Sequence, residues 1–363
     1  MRKISILGTV GIPASYGGFE TLAENLARFH QANKLQSEMV VYCSSKSYPE
    51  RLASCHGAHL RYIGLNANGV SSVPYDIVSL FFAIQQRSDV ILLLGVSGAI
   101  ALPLVRLLSG ARIVTNIDGI EWKRDKWKGL ARWFLRISER MAVRFSHEVV
   151  ADNEGIAAHL KEAYGRHCHV IPYGGDHAVK ASPRPYEVRE LPEQYALALC
   201  RIEPENNVSM ILEAFARKPS LPLVFVGNWN NSGFGRALRE RFAGLKNLFL
   251  LDPVYELGVL YTLRSNAVIY VHGHSAGGTN PSLVEMMHFG VAVVAYDCVF
   301  NRYTTDDKAL WFSDTQSLLT VVSTLTSAVE KQVGFDMQRI AEERYTWLRI
   351  GQAYFSLLLQ NDR

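Results

Sequence analysis

The 363-residue sequence has no uninterrupted apolar run of the ~18 residues that a membrane-spanning helix needs. Its first segment, "MRKISILGTVGIP", meets a glycine turn too early to serve as a signal peptide. The five cysteines are odd in number, scattered and never in C-x-x-C spacing, which indicates neither a disulfide framework nor a zinc knuckle. These absences predict a cytoplasmic chain with reduced, mostly buried thiols.

The sequence also lacks several catalytic signatures. It contains no D-x-D, no G-x-S-x-G and no activated-cysteine pattern. His272 and His274 form an H-x-H pair, but no third metal ligand follows at a suitable spacing. We expect these histidines to hydrogen-bond a phosphate or a sugar, or to pack at a strand end. A net charge of +4 is too modest for a general nucleic-acid binder.

Hydrophobic content of 48% and charged content of 20% are typical of a globular protein with a large core, and the length suits two domains of ~150 residues. Short apolar runs alternate with helical patterns in two series. The first series is "KISILG", "EMVVYC", "DVILLLG", "ARIVTNID" and "HEVVAD", and the second is "YALALC", "LPLVFVG", "NLFLLD", "NAVIYVHG" and "VAVVAYD". Such runs predict parallel sheets covered by helices on both faces.

The predicted architecture is therefore α/β, with two doubly wound Rossmann-like domains facing a central cleft. A stretch rich in proline, glycine and charge, residues 169–194, separates the two series. We predict an N-terminal Rossmann-like domain over residues 1–175 and a second Rossmann-like domain over residues 176–345. Residues 346–363 form a predicted terminal helix that packs back on the first domain.

The loop after the first strand carries Gly17 and Gly18 just before a helix. Glycines at such a turn let the backbone approach a ligand, and the helix start offers unpaired N–H groups. A phosphate or a sugar could bind there, while the alternative is a tight turn without a ligand. The spacing is not G-x-G-x-x-G, so a dinucleotide site has little support.

Arg201 follows the first strand of the second series. At the carboxyl end of that strand a guanidinium suits a diphosphate, while the alternative is a surface arginine paired with Glu203 or Glu205.

The stretch "HSAGGTNPSLVEMMHFG", residues 274–290, joins a glycine-bearing loop to a helix. Asn280 is the predicted N-cap and Pro281 the first helical residue. Glu285 is predicted to accept hydrogen bonds from two ribose hydroxyls; the alternative is favourable charge near a helix N-terminus. The groups predicted to bind phosphate are the backbone N–H groups of Asn280, Ser282 and Leu283 and the hydroxyls of Thr279 and Ser282.

Four motifs together carry a resemblance that spans nearly the whole chain: "GIPASYGGFETLAENL", "NIDGIEWKRDKW", "RIEPENN" and "HSAGGTNPSLVE". They resemble the GT-B glycosyltransferases of glycosyltransferase family four, and more narrowly the bacterial rhamnosyltransferase-like branch of capsule and O-antigen synthesis. The absence of D-x-D argues against the metal-dependent GT-A class.

The resemblance implies that Arg201 binds the diphosphate of a nucleotide sugar and that Glu285 holds the ribose. The family's helping lysine corresponds to Asn206 here, and the glutamate that holds sugar hydroxyls corresponds to Gly277. The donor-binding residues that we predict are Gly17, Gly18, Arg201, Asn206, His274, Gly277, Gly278, Thr279, Asn280, Ser282, Leu283 and Glu285.

Besides Asn206 and Gly277, a third position departs from the family pattern. The family's histidine near the C6 hydroxyl of the donor sugar falls near Asp118 in this sequence. A 6-deoxy sugar such as rhamnose lacks that hydroxyl, so the change fits the narrower branch. Asp118 and Glu121 are predicted to contact an acceptor hydroxyl, and with Arg201 they are the predicted catalytic residues. The alternative is two loop carboxylates, solvated or paired with Lys123 and Arg124.

Residues 122–145 hold eight basic residues against two acidic ones. Basic and aromatic residues on an amphipathic helix suit an anionic membrane, and the alternative is a core helix with a solvated basic edge. We expect Trp133, Phe134 and Ile137 to pack inward and the arginines to face lipid. The residues predicted to contact membrane or acceptor are Lys123, Arg124, Lys126, Arg132 and Arg136.

The resemblance implies a retaining glycosyltransferase that moves L-rhamnose from dTDP-rhamnose to a lipid-linked oligosaccharide on the inner face of the plasma membrane, without a metal or other cofactor. Residues 1–175 would then be the acceptor-side domain and residues 176–345 the nucleotide-sugar-binding domain. The expected partners are the nucleotide sugar, a lipid-diphosphate-linked acceptor and the anionic membrane surface, but no nucleic acid. The alternatives are a UDP-hexose or GDP-mannose transferase, a GT-B epimerase, a glycogen-phosphorylase-like enzyme and a two-lobed sugar-binding protein.

Overall fold

The structure, a computed structural model, describes residues 1–15, 17–117, 119–123, 128–217 and 221–360. The chain divides into two compact units. Unit 1 is Met1–Tyr173 with Trp347–Arg363, and unit 2 is Gly174–Thr346. No helix among the described residues is long and apolar enough to cross a membrane.

Unit 1 contains a sheet in the order β3-β4-β2-β1-β5-β6-β7-β8, parallel except for the β3–β4 pair. At its centre, Ile4 of β1 pairs with Met39 on one side and Val90 on the other. The strands are β1 (Arg2–Leu7), β2 (Ser37–Ser44), β3 (Ser54–Cys55), β4 (Ala58–Ile63), β5 (Val90–Leu94), β6 (Arg112–Ile117), β7 (Glu148–Ala151) and β8 (His169–Val170).

The helices of unit 1 are α1 (Gly18–Ala32), α2 (Ser72–Gln85), α3 (Leu102–Leu108), α4 (Gly129–Phe145), α5 (Glu154–Tyr164) and, from the chain's end, α13 (Trp347–Leu358). Helix α13 packs against α1, where the rings of Phe355 and Phe29 stack at 5.5 Å. The Asn116 amide of β6 also donates to the Tyr354 hydroxyl at 2.6 Å. The terminal helix therefore completes the core of unit 1.

Unit 2 has a wholly parallel sheet in the order β11-β10-β9-β12-β13-β14. Its elements are β9 (Tyr195–Leu199), α6 (Val208–Ala216), β10 (Leu223–Val226), α7 (Gly233–Phe242), β11 (Leu248–Leu251), α8 (Leu257–Ser265), β12 (Ala267–His272), α9 (Pro281–Met287), β13 (Ala292–Tyr296), α10 (Val299–Thr304), β14 (Leu310–Phe312), α11 (Thr315–Thr324) and α12 (Ser327–Arg344).

All ten predicted strands are confirmed, because their continuous apolar residues lie buried between the helices on both faces of each sheet. In unit 2 the strand order reverses direction between β9 and β12. Ligands of open α/β sheets bind at the carboxyl ends of the strands beside such a reversal. The loops that follow β9 and β12 are therefore the first place to look for a site.

Candidate active site

Arg201 lies two residues past the end of β9, and its side chain is 42% exposed. Its Nη1 atom is 3.9 Å from Oε1 of Glu203, which is too long for a hydrogen bond. The loop backbone is held more firmly, since the Ile202 N–H donates to Oδ1 of Asn228 at 2.7 Å. The structure thus places an accessible guanidinium, loosely held by one carboxylate, at the strand end.

Asn206 is buried, and its side chain joins two loops. Its Nδ2 donates to the carbonyl of Arg201 at 2.7 Å, and its Oδ1 lies 2.6 Å from Nδ1 of His274. Because Oδ1 can only accept, Nδ1 of His274 carries the proton. Both polar groups of Asn206 thus bind protein and position the residues around them, and its contact with the donor stays a prediction.

His272 ends β12 and is buried beside His274, with ring centroids 5.9 Å apart. Burial lowers the pKa of His272 to about 3, so the imidazole is neutral near pH 7. Within the described part of the chain, its Nε2 has no hydrogen-bond partner, and no three His, Cys, Asp or Glu side chains are grouped to hold a metal ion.

The loop from β12 to α9 places Gly277 in a left-handed conformation, with φ of +121°. A residue with a Cβ rarely adopts that conformation, so a glutamate would strain this backbone. Gly278 and Thr279 follow, both buried. Gly277 therefore removes the expected carboxylate and also gives the loop a backbone conformation that a glutamate would strain.

Asn280 caps α9 as expected, with Oδ1 accepting from the Ser282 N–H at 3.0 Å. The Leu283 N–H donates to the carbonyl of Asn280 at 3.1 Å. The Ser282 hydroxyl donates to Oδ1 of Asn280 at 2.7 Å and lies 3.0 Å from the hydroxyl of Tyr270. These groups bind partners within the protein, and phosphate binding by Ser282 and Leu283 stays a prediction.

Glu285 is mostly buried and forms ion pairs with two residues that the sequence interpretation missed. Arg264, at the end of α8, donates to its Oε2, and Nε2 of His177 lies 3.4 Å from its Oε1. Burial pushes the pKa of Glu285 up, but the charge of Arg264 and the contact with His177 together outweigh burial and hold that pKa below its ordinary value. An ionised carboxylate fits the predicted acceptor of ribose hydroxyls.

Arg264 is itself 3% exposed, and its Nη1 finds no acceptor among the described residues. A single arginine near the end of an amphipathic helix gives little signal in the sequence. Arg264 stands just ahead of the apolar strand "NAVIYVHG", and that position gave the sequence signal for it. His177 lies in residues 169–194, between the two series of strands, where no pattern indicated a functional residue.

In unit 1, Gly17 is the N-cap of α1 and Gly18 its first residue, without a side-chain cap. Glu20 in the first turn is buried, and a Cβ on Gly17 would lie 3.0 Å from its Oε1. A carboxylate already faces the positive end of the helix. Binding of a phosphate or a sugar by Gly17 and Gly18 stays a prediction.

The short 3-10 turn Glu121–Lys123 follows β6. Glu121 is half-buried and Lys123 is exposed, with Nζ 5.5 Å from the Trp122 ring centroid. Asp118, Arg124 and Lys126, which were predicted to contact acceptor or membrane, lie outside the described residues.

The orientation of α4 corrects the sequence prediction. Its buried residues are Leu135, Ser138, Glu139, Ala142 and Val143, whereas Phe134 and Ile137 are half-buried and Trp133 is 63% exposed. Glu139 fixes this orientation by accepting hydrogen bonds from Trp122 (3.1 Å), His159 (3.2 Å) and Tyr164 (2.7 Å). An acidic residue thus faces the core, and a tryptophan faces outward.

Two families match parts of the chain. Residues 1–176 match a domain of unknown function, DUF1972, and residues 184–331 match glycosyl transferases group 1. No curated protein matches the chain.

Similar solved structures span nearly the whole chain. Sucrose-phosphate synthase from Thermosynechococcus elongatus has a TM-score of 0.81 at 14% identity, covering 98% of both chains. A glycosyltransferase from Rickettsia africae has a TM-score of 0.73 at 13% identity, covering 99% of both. An E. coli trehalose-6-phosphate protein bound with UDP-2-fluoro glucose has a TM-score of 0.73 at 10% identity, covering 100% of both. These likenesses establish a GT-B fold of two Rossmann-like domains. The match to glycosyl transferases group 1 lies within unit 2 and identifies the protein as a glycosyltransferase.

Proposed function

We propose that this glycosyltransferase transfers L-rhamnose from dTDP-rhamnose to a lipid-linked oligosaccharide during the synthesis of capsule or O-antigen. The observation that carries the proposal is Gly277, which has a φ of +121° where the glutamate for sugar hydroxyls is expected. A donor sugar held without that carboxylate is bound differently from the hexose of the family, and the departure near Asp118, where the family's histidine at the C6 hydroxyl is missing, fits a 6-deoxy sugar.

The donor-binding half of the proposal rests on two charged side chains in unit 2. Arg201 offers an accessible guanidinium, which suits a diphosphate. Glu285 offers an ionised carboxylate for the hydroxyls of a ribose. A relative of the same fold is bound with UDP-2-fluoro glucose, which supports a nucleotide sugar as the donor.

We propose that transfer retains the anomeric configuration. Another similar structure, a trehalose-6-phosphate synthase, is described in terms of glycosyl transfer with retention. The acceptor oxygen would bond to the anomeric carbon on the face from which the diphosphate leaves, and the hydroxyl proton would pass to a diphosphate oxygen. Arg201 would stabilise the negative charge on the leaving group, and the step uses no metal ion.

The acceptor half of the proposal involves Glu121 and Asp118, which follow β6 and would bind an acceptor hydroxyl. The lipid-linked acceptor would bring the enzyme to the cytoplasmic face of the plasma membrane. The basic residues of α4, exposed on unit 1, support such a location.

A UDP-hexose donor is the second candidate, because the E. coli relative binds UDP-2-fluoro glucose. Incubation with dTDP-rhamnose, UDP-glucose and GDP-mannose, with and without a chelator, tests both candidates. We expect dTDP-rhamnose to bind best, and its slow hydrolysis to continue in the chelator. Preferential use of UDP-glucose or GDP-mannose would refute the rhamnose donor, and loss of activity in the chelator would refute the metal-free step.

A further inference from the structure

An apolar and basic surface is exposed on two helices of unit 1 that pack against each other, α3 and α4. On α3, Leu104, Leu107 and Leu108 have the i, i+3 and i+4 spacing that places side chains on one helix face. Leu107 is 80% exposed, and Leu130 of α4 is 84% exposed. We call the following residues the α3–α4 surface: Leu104, Leu107, Leu108, Leu130, Arg132, Trp133, Arg136, Arg140 and Arg144.

Trp133 belongs to the same outward face of α4 as the arginines. It precedes Arg136 by three residues and Arg140 by seven, which is the spacing of one helix face. In the part of the chain that the structure describes, no carboxylate pairs with Arg132, Arg136, Arg140 or Arg144. Among the described residues, the surface therefore combines exposed apolar side chains with arginines that no carboxylate pairs with.

A bilayer of anionic lipid matches both properties, because its head groups are negative and its interior is apolar. A protein partner would have to bring its own cluster of carboxylates around an apolar patch. Tryptophan also has a preference for the boundary between head groups and acyl chains.

We infer that the α3–α4 surface docks the enzyme on an anionic membrane by inserting Trp133 and the leucines between lipids while the arginines contact the head groups. The inference extends the proposed function, and its relevance to a lipid-linked acceptor rests on that function. It also changes the role expected from the sequence, since Trp133 reaches lipid instead of the core.

Flotation with vesicles tests the inference apart from the donor. The vesicles contain phosphatidylglycerol and phosphatidylcholine in equal parts, with no glycolipid and no nucleotide sugar. We expect the protein to bind these vesicles, to bind pure phosphatidylcholine weakly, and to dissociate as salt rises. Replacing Arg136 and Arg140 by Gln should weaken binding about fivefold per charge, from ~1 kcal/mol per basic residue.

The apolar contribution has its own variant and its own matched control. Leu107→Ser with Trp133→Ala should weaken binding at least about tenfold. Phe335→Ala should leave binding unchanged, since Phe335 is also 63% exposed but lies on α12 of the other unit. Brominated lipids should quench the wild-type fluorescence, and Trp133→Phe should still bind but lose most of that quenching.

Three results would overturn the inference: equal binding by Leu107→Ser/Trp133→Ala and wild type, unchanged quenching in Trp133→Phe, or a self-association that these variants abolish while vesicle binding persists. Calorimetric binding of dTDP-rhamnose should be the same in all variants. If wild type binds vesicles but not dTDP-rhamnose, the proposed donor fails and the docking surface stands.

Discussion

Nδ1 of His274 lies 2.6 Å from Oδ1 of Asn206, 68 residues away in the sequence. The same amide donates to the carbonyl of Arg201. One buried side chain thus ties the loop that follows β9 to the loop that follows β12. The first loop holds Arg201, which is proposed to bind a diphosphate, so the relative position of the two loops decides whether Arg201 points at a ligand.

Asn206→Ala should therefore lower both stability and catalysis. Loss of the amide removes its hydrogen bonds to the Arg201 carbonyl and to Nδ1 of His274, which costs about 2 kcal/mol. We expect urea denaturation to show that loss and kcat to fall at least about tenfold. Asn247→Ala is the control: its amide donates to the Phe215 carbonyl, away from these loops, so stability should fall while kcat holds. Equal kcat in the two variants would contradict a positioning role.

Arg201→Ala should lower catalysis while leaving stability nearly unchanged. The side chain is 42% exposed, and its ion pair among the described residues is the 3.9 Å contact with Glu203, so the free energy of unfolding should change little. Without the Arg201 guanidinium the negative charge on the leaving diphosphate is less stabilised, which should lower kcat/KM by about 100-fold or more. Arg201→Lys should recover only part of that, because lysine lacks the planar pair of donors.

The control for Arg201 is Arg217→Ala, an exposed arginine that ends α6 in the same unit. It should match the wild type in both measurements. If Arg201→Ala keeps full kcat/KM, Arg201 does not contact the diphosphate.

Much of the fold was predictable because each parallel strand is a continuous apolar run between breaks. The site was predictable only where a local pattern sufficed, as for the Asn280 cap. The roles of Asn206 and Glu285 depend on His274, Arg264 and His177, which are distant in the sequence. No spacing rule connects such partners.

The orientation of α4 was not predictable for a related reason. Hydrophobicity alone turns Trp133 toward the core. The structure instead buries Glu139, because Trp122, His159 and Tyr164 supply three donors from outside the helix. Three hydrogen bonds to one carboxylate outweigh the burial of an aromatic ring that a membrane can cover instead.

Glu285→Gln should destabilise the protein in a pH-dependent way. The pKa of Glu285 is held below its ordinary value of 4.5, so its stabilising contribution is present above pH 4.5 and is lost as pH falls through the lowered pKa. At pH 7 the variant leaves Arg264 buried without a counter-charge, at a cost of about 3 kcal/mol. Below the lowered pKa the difference from the wild type should shrink. A difference that is constant from pH 7 down to pH 3 would contradict the ion pair.

Asp76→Asn should stabilise the protein at neutral pH. Asp76 is buried in α2, and burial raises its pKa well above the ordinary value of 3.8, against the opposing hydrogen bond from Gly98. The contribution of Asp76 to the stability of the folded protein is therefore fully present below pH 3.8 and is lost as pH rises toward the raised pKa. Asparagine has nearly the same shape and never ionises, so its advantage in urea denaturation should grow from pH 4 upward. No gain at pH 7 would contradict a pKa raised by burial.

Gly277→Glu tests the idea that the backbone, and not only the missing carboxylate, sets the donor. With φ at +121°, any Cβ strains the loop by about 1–2 kcal/mol, so Gly277→Ala and Gly277→Glu should lose similar stability and similar kcat/KM with dTDP-rhamnose. Neither variant should gain activity with UDP-glucose, because a strained loop cannot aim the new carboxylate at hexose hydroxyls. A Gly277→Glu enzyme that prefers UDP-glucose would show instead that position 277 acts through its side chain alone. The test is a pair of kcat/KM ratios for the two donors, measured in both variants and in the wild type.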